Sequence, residues 1–292
     1  MDLIIIGFFA LFLRIFLLGS ERIFLKQLEE YDSVIISAIF FLTGSLFLLP
    51  IFLVIPQETL LTGLEDLQFA LISSFIYTFG FFAYVKALSE EDASLIAPLY
   101  NASLLWLLVL SVLFLDESVG IFRVFGASIM FIGVFFLYPG KITEKIHKIR
   151  ESHASLLMIG GSFFLALGRT IDTFAIRTID SRVYAFFILF FAGLFFLGIA
   201  IFTKKWNDGF LALKNDLKTI ICAGFVNGWA YVMLLIAIAG LEVTVAEPAS
   251  LLSVFVTAFL AKLFLKEEIE ERLFGMVLMV IGAILLVVKI PI

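Results

Sequence analysis

Two arginines lie inside long apolar stretches of the sequence, where a charge requires a partner or water. Arg14 and Arg169 each stand near the middle of such a stretch, and Asp172 follows Arg169 by three residues. Residues three apart share one face of a helix, so Asp172 can neutralise Arg169 locally. A guanidinium group suits planar recognition of carboxylate or phosphate. We therefore predict that Arg14 and Arg169 face one central cavity and bind an anionic substrate.

Asp172 and Glu247 are candidates for taking up and releasing a proton. A carboxyl group in an apolar site can lose its charge near neutral pH. Glu247 and Lys86 lie nearer the ends of their apolar stretches, so their charged ends could instead reach water. Six further polar or aromatic side chains could line the cavity or be merely structural: Tyr77, Tyr84, Asn101, Asn227, Trp229 and Tyr231.

A serine motif offers an enzymatic alternative. Gly126-Ala127-Ser128-Ile129 spells the G-x-S-x pattern of an intramembrane serine protease. That chemistry requires a base, commonly a histidine within a span, and both histidines, His147 and His153, stand in a polar segment. The sequence has one cysteine and no H-E-x-x-H, G-x-G-D pair or Walker motif. We therefore expect no catalytic residue, no metal and no cofactor, and the protein is not expected to be an enzyme.

The composition is typical of an integral membrane protein. Hydrophobic residues make up 62% of the 292 residues, charged residues make up 15%, and the mean hydropathy is +1.14. A soluble chain of this length could not bury so much apolar surface. The bilayer core of about 30 Å requires roughly 20 apolar residues per helix. Such runs recur without the period-2 alternation of a membrane barrel, so we predict an all-α membrane fold.

Ten apolar stretches are long enough to cross a bilayer, and polar or proline-containing junctions separate them. We number these predicted spans 1 to 10: residues 3–25, 33–55, 67–88, 93–115, 120–138, 154–178, 183–202, 217–239, 242–265 and 272–288. A basic segment, residues 141–153, is predicted to link spans 5 and 6. It could rest on anionic headgroups as a short helix or be a solvated connector.

The second half of the sequence repeats the first, because Ala87–Gly133 aligns with Ala237–Gly282. Equivalent pairs are Pro98 and Pro248, Ser103 and Ser253, Glu117 and Glu267, Arg123 and Arg272, Gly126 and Gly275, and Gly133 and Gly282. Spaced identities of this kind indicate a duplication. We assign residues 1–140 and 154–292 to two five-helix repeats. An odd number of spans per repeat predicts that the second copy is inverted in the membrane.

Each copy carries a proline inside a span. Pro98 and Pro248 cannot donate a backbone hydrogen bond, so they free the carbonyls of Ser94 and Thr244. Freed backbone is tolerated at membrane depth only against protein or a water-lined cavity. A packing kink is the simpler explanation for one proline, but two equivalent prolines favour a cavity wall.

Glycines recur on one face of the last span of each copy. They are Gly126 and Gly133 in span 5, and Gly275 and Gly282 in span 10. Small residues at this spacing allow close helix contact, so we predict a packing role. Spans 5 and 10 are also candidate surfaces for a homodimer.

The sequence resembles the drug/metabolite transporter superfamily, specifically its EamA-type members. The resemblance rests on the two halves, their proline-bearing and glycine-spaced spans, and the junctions Leu115-Asp116-Glu117 and Leu265-Lys266-Glu267. It implies that spans 1–4 and 6–9 surround a central cavity, that spans 5 and 10 are peripheral, and that the activity is export or exchange of small metabolites. Arg14 stands in the region where the family commonly has a tryptophan.

The absence of an ATP-binding motif favours secondary, gradient-driven transport by alternating access. A flippase for a lipid intermediate is the alternative on the same fold. We expect a small-molecule substrate, contact with membrane lipids, proton or ion coupling and no nucleic acid. We also expect a multi-pass location in the plasma membrane.

Charge and resemblance disagree about orientation. With the N-terminus outside, the cytoplasmic side receives most lysines and arginines, including Arg22, Lys26 and the linker Lys141–Arg150. An excess of Lys and Arg near short loops marks the cytoplasmic face, so charge predicts both termini outside. The family resemblance implies both termini inside. We adopt the orientation that the charges favour.

Overall fold

The computed structural model describes residues 3–57, 59, 67–114, 121–137, 149–241 and 243–287. These residues are almost entirely helical, and no strand occurs among them. In chain order the α-helices are α1 Leu3–Lys26, α2 Ser33–Leu48, α3 Leu67–Glu90, α4 Ala93–Tyr100, α5 Ser103–Phe114, α6 Ile121–Phe135, α7 His153–Ala175, α8 Ser181–Phe202, α9 Trp206–Asn215, α10 Leu217–Gly240, α11 Val243–Ser250, α12 Ser253–Leu260 and α13 Leu273–Val287. A 3-10 turn, Leu49–Leu53, extends α2, and a π-helical turn, Ala261–Leu265, follows α12.

Within these ranges, 8 helical stretches are long and apolar enough to cross a bilayer. They correspond to predicted spans 1–4 and 6–9, so the multi-span, all-helical fold is confirmed. Helices α6 and α13, at predicted spans 5 and 10, have 15 described residues each. That is fewer than the roughly 20 residues that a bilayer core requires. The count of ten spans and the inversion of the repeats therefore stay predictions.

Both prolines interrupt their spans at the same point. Asn101 and Ala102 separate α4 from α5 just after Pro98, and residues 251–252 separate α11 from α12 just after Pro248. A proline has no N–H, so the hydrogen-bond ladder of the helix cannot continue unbroken through that turn. The side-chain Nδ2 of Asn101 donates to the Ala97 carbonyl at 2.9 Å beside the first break. Predicted spans 4 and 9 therefore each consist of two helices.

The glycine faces of α6 and α13 pack against each other. A Cβ at Gly282 would lie 2.6 Å from the carbonyl oxygen of Gly126, and one at Gly133 would lie 3.0 Å from that of Gly275. Only glycine permits backbones to approach this closely, so the predicted packing role is confirmed. Because these faces contact each other within one chain, they are not open to a second copy. The predicted homodimer thereby loses the surface on which it was based.

A polar clamp joins the beginning of α4 to the segment that precedes α13. The Glu267 carboxylate accepts hydrogen bonds from the Ala93 and Ser94 amides at 3.0 Å each, and from the Ser94 hydroxyl at 2.6 Å. It thereby satisfies two amides that a helix N-terminus leaves unpaired. Arg272 donates to Asp92 at 2.5 Å and contacts the Ser94 hydroxyl. We call Asp92, Ser94, Glu267 and Arg272 the α4 clamp.

Other polar contacts gather at the same end of the bundle. Lys26, at the end of α1, donates to the Glu91 carbonyl at 3.0 Å. The imidazole of His153, at the start of α7, lies 2.8 Å from the Glu90 carboxylate. Contacts between the two halves of the chain therefore gather at this end of the bundle.

Helix α9 was not predicted from the sequence. It exposes Trp206, Phe210 and Leu211 and buries Gly209 and Ala212. With 10 residues it is too short to cross a bilayer. Exposed apolar groups on a short helix next to a membrane span suit the interface between headgroups and acyl chains. The predicted linker lies outside the described residues except for 149–153, and both of its interpretations stay open.

Candidate functional site

Asp172 lies at the centre of a buried network built from four helices. Its carboxylate is fully buried on α7. Oδ1 accepts hydrogen bonds from the Ser73 hydroxyl at 2.7 Å and the Tyr184 hydroxyl at 2.9 Å. Oδ2 accepts from the hydroxyls of Tyr77 at 2.9 Å and Tyr231 at 2.6 Å. Together with an arginine, these donors fill the accepting positions of the carboxylate.

Arg169 is that arginine, and it pairs with two carboxylates. Its Nη1 donates to Asp172 Oδ2 at 3.0 Å, and its Nε pairs with Glu247 Oε1. The guanidinium carbon also lies 5.6 Å and 5.4 Å from the ring centroids of Tyr77 and Tyr231, which is cation–π distance. The local pairing with Asp172 is as expected from the three-residue spacing. Two carboxylates neutralise this guanidinium, so it is not free to bind an anion.

Glu247 lies near the end of its predicted span, so its carboxylate could have reached water. In the structure it does not. Its side chain is only 13% exposed and contacts Arg169. Lys86 does follow that pattern, because it pairs with Glu90 at 3.1 Å at a half-exposed site. We call Arg169, Asp172 and Glu247, with the hydroxyl donors to Asp172, the Asp172 network.

A small cavity of about 10 Å³ lies beside Arg169 and Glu247. Ser103, the first residue of α5, borders it, and Glu247 stands directly before Pro248. Both helix breaks therefore adjoin the cavity, in line with the prediction of a cavity wall at the prolines. The remaining lining residues are one aromatic and four apolar side chains: Tyr100, Leu104, Leu107, Leu165 and Ala166.

A second group of buried charges lies along α1. Arg14, Glu21 and Arg22 are each less than 5% exposed. We call these three residues the α1 cluster. Arg22 donates from Nη1 to the hydroxyls of Ser253 and Thr257 on α12, at 3.2 Å each. The cluster therefore connects the first helix of the chain with the second half.

Tyr100 stands between the two groups. Its ring centroid lies 5.3 Å from the guanidinium carbon of Arg22. The same side chain lines the cavity beside Arg169. A polar path thus runs from the α1 cluster through Tyr100 to the Asp172 network.

Glu21 and Arg22 were not predicted as site residues from the sequence. Arg22 was counted as a charge at the cytoplasmic side, whereas the structure buries it fully. Its partners are 231 and 235 residues away in the chain, so no local pattern reveals them. One signal in the sequence could have indicated their burial. Glu21 and Arg22 both lie inside predicted span 1, which ends at residue 25.

Three other predicted site residues make contacts outside the Asp172 network. Asn101 bonds beside its own helix break, and Asn227 donates to the Phe40 carbonyl of α2 at 3.4 Å. Trp229 is half-buried, with its ring centroid 6.5 Å from that of Phe225. Tyr77 and Tyr231 belong to the Asp172 network, and Tyr84 lies beside the α1 cluster.

The serine of the G-x-S-x pattern has no base next to it in the described part of the chain. The exposed hydroxyl of Ser128 donates to the Val124 carbonyl at 2.9 Å, within its own helix. His153 pairs with Glu90, and His147 lies outside the described residues.

A family model described as the EamA-like transporter family matches the chain twice, over residues 5–138 and 153–288. No curated protein matches the chain. Solved structures do match, and one of them is a crystal structure described only as that of a protein. It aligns with a TM-score of 0.55 and 16% identity, and covers 97% of this chain and 95% of its own. At this identity the likeness shows the fold alone.

Proposed function

Because the chain belongs to the EamA-like transporter family, we propose that it is a gradient-driven transporter that carries a small metabolite through its centre by alternating access. The observation that supports this proposal is the Asp172 network, which places charged groups beside a cavity inside an apolar bundle. Charges at membrane depth are costly and usually mark a substrate or ion path.

The halves of the chain are the moving parts in this proposal. Residues 1–140 and 154–292 form inverted repeats that rock against each other, and α6 and α13 lie at the periphery. The α4 clamp closes one end of the bundle through contacts between the two halves. It holds a state in which the cavity is shut at that end.

Glu247 is the proton-responsive group in this proposal, and Asp172 holds the surrounding side chains in place. The Asp172 carboxylate already accepts five hydrogen bonds, from Ser73, Tyr77, Arg169, Tyr184 and Tyr231. Glu247 instead has a single ionic partner and faces the cavity. Protonation of Glu247 would release one side of Arg169 and so couple proton binding to the ionic contact between α7 and α11.

Flux measurements in liposomes test the proposal. The purified protein is reconstituted, a pH gradient is imposed, and labelled amino acids, sugars, nucleotides and polyamines are offered in turn. We expect at least one solute to accumulate with the gradient. Glu247→Gln should still exchange that solute but no longer concentrate it, because it cannot take up the proton. Lys86→Gln, which removes a half-exposed ion pair, is the matched control and should behave as the native protein.

The flippase alternative gives a different result in the same liposomes. If no soluble solute moves while a fluorescent lipid crosses between leaflets, the proposal of metabolite transport is wrong. Accumulation by Glu247→Gln with unchanged pH dependence would remove Glu247 from the coupling role but leave transport itself in place.

A further inference from the structure

We propose that the α1 cluster is an anion site and that Arg22 binds a carboxylate or phosphate group through its free edge. This inference rests on the proposed transport function and names the chemical class of the solute. The earlier expectation assigned anion binding to Arg14 and Arg169, but Arg169 is neutralised by Asp172 and Glu247. We therefore place the anion site on α1, where Arg14 also lies, and exclude Arg169 on α7 from it.

The first support is a set of buried donors without acceptors. Among the described residues, Arg14 Nε, Arg22 Nε, Arg22 Nη2 and the Tyr84 hydroxyl are buried and have no hydrogen-bond partner. Arg22 and Tyr84 are both 0% exposed. Buried polar groups are nearly always paired, so unpaired donors at one guanidinium point to a missing acceptor. A ligand with acceptor atoms beside Arg22 would satisfy the two free nitrogens of that side chain.

The second support is the geometry of the Arg22 guanidinium. Ser253 and Thr257 hold its Nη1, which fixes the plane of the group. The unpartnered atoms, Nε and Nη2, form the edge that grips two oxygens of one carboxylate or phosphate in parallel. The free edge of Arg22 is therefore held in a fixed orientation.

Arg182 shows what fills the same edge elsewhere in this protein. Its Nε and Nη2 donate to the two carboxylate oxygens of Asp180 at 3.0 Å and 2.8 Å. Arg22 presents the same pair of donors without a carboxylate. Glu21 is its neighbour in sequence, and adjacent residues on a helix point in different directions, so Glu21 does not occupy the edge.

The third support is charge. With all groups ionised, the α1 cluster has two cations and one anion, Arg14 and Arg22 against Glu21. A buried excess charge is unfavourable unless it is compensated. The Tyr84 hydroxyl lies beside Arg22 and can donate to the same anion. A single negative group bound at Arg22 would balance the charge and accept from the free edge of that guanidinium.

Thermal unfolding of the purified protein tests the site. Inorganic phosphate and acetate are titrated against sodium chloride of equal ionic strength, because a ligand that binds only the folded state raises the unfolding midpoint. We expect a saturable rise with at least one of the two anions. Arg22→Gln should abolish the rise. Arg182→Gln, at an arginine whose edge is already filled, should keep it.

Two further variants keep the test decisive if Arg22→Gln fails to fold. Tyr84→Phe removes only one hydroxyl group beside Arg22, so the fold should survive while the anion binds roughly tenfold more weakly. Glu21→Gln removes a neighbouring negative charge and should tighten binding. If the cluster has a purely structural role, Tyr84→Phe should leave the effect of phosphate or acetate on the unfolding midpoint unchanged. That result would count against the proposal.

The bound group could belong to a soluble solute or to a lipid headgroup, and nanodiscs separate the two. If phosphatidylglycerol stabilises the protein over phosphatidylcholine in an Arg22-dependent way while soluble anions do not, the group comes from lipid. The inference is overturned if neither source stabilises the protein beyond salt, or if Arg22→Gln keeps the full response. Transport of an uncharged solute by a protein that binds no anion would refute this site and leave the transport function intact.

Discussion

At the residue scale, the two buried charge groups differ in how completely their atoms are paired. Asp172 has a donor for each accepting position, so its surroundings are held in place. Arg22 has partners for one nitrogen only. A buried polar group whose hydrogen bonds are all made rigidifies a core. A group with unpaired donors can still accept a ligand as its partner.

Asp172→Asn should lower the unfolding free energy by more than Tyr184→Phe does. The asparagine keeps the shape but removes the charge that faces five donors, which we expect to cost about 3 kcal/mol or more. Tyr184→Phe removes one of those donors and should cost about 1.5 kcal/mol. Thermal melts of both variants in detergent provide the comparison. Equal midpoints would show that Asp172 does not organise the network.

How far these residues could be predicted depends on where their partners lie. The Arg169–Asp172 pair was foreseen because it is local to one helix. The contacts of Tyr77 and Tyr231 with Asp172 span 95 and 59 residues, and only their polar character hinted at the site. Side-chain partners across a bundle depend on helix rotation, which a single sequence does not specify.

At the element scale, the membrane spans were predictable because long apolar runs bounded by polar turns leave little choice in a bilayer. The predicted span 3, residues 67–88, corresponds to α3, Leu67–Glu90. The prolines located the two helix breaks. Helix α9 escaped prediction because its apolar residues are interrupted by Asn207, Asp208 and Lys214.

Linking the two sides of the α4 clamp should stop transport. Asp92→Cys and Arg272→Cys are combined with Cys222→Ser, and the new thiols are joined by a flexible bifunctional methanethiosulfonate. We expect flux of the solute found in the liposome screen to cease and to return on reduction, since the clamp must open for alternating access.

The pair Asp180→Cys and Arg182→Cys is the matched control for the cross-link. It replaces an ion pair of 2.8 Å at the start of a single helix and joins no separate halves. Flux should persist after this control is cross-linked. Continued flux through protein that is fully cross-linked at residues 92 and 272 would mean that the clamp is a static contact.

Tyr31 ties the connection between α1 and α2 to the start of α10. Its hydroxyl donates to Asp216 at 2.6 Å, and this hydrogen bond raises the pKa of Tyr31 to about 12. Tyr31→Phe should lower the unfolding free energy by about 1.5 kcal/mol at neutral pH. A tyrosine in the unfolded chain ionises near pH 10, so the native advantage is complete below that pH and is lost as the pH rises toward 12.

Unfolding measured at several pH values checks this link. The stability difference between native protein and Tyr31→Phe should be constant from neutral pH to about 9 and should shrink above 10. A difference that does not change across the alkaline range would argue against the hydrogen bond.

At the scale of the whole molecule, positive charge collects at the end closed by the α4 clamp. Lys26, Lys205 and Arg272 all make contacts there or in the adjacent connections. The predicted linker begins after α6 and leads into α7 at the same end. This distribution supports the orientation in which the clamped end faces the cytoplasm.

Cysteine labelling tests that orientation. Thr143→Cys is introduced into a Cys222→Ser background, and intact cells are treated with a membrane-impermeant maleimide. We expect no labelling until the membrane is permeabilised, because the linker should lie in the cytoplasm. Labelling of intact cells would place the linker outside and reverse the assignment of both termini.

The α4 clamp also sets the order in which the protein can be completed during synthesis. The Ser94 amide and the Glu267 carboxylate that caps it are 173 residues apart in the chain. At roughly 5–20 residues per second, the ribosome takes on the order of ten seconds or longer to supply that carboxylate. Until then the first turn of α4 has only water for its amides. The clamped end therefore stays open while most of the chain enters the membrane, and it is sealed only once the segment before the last helix has been made.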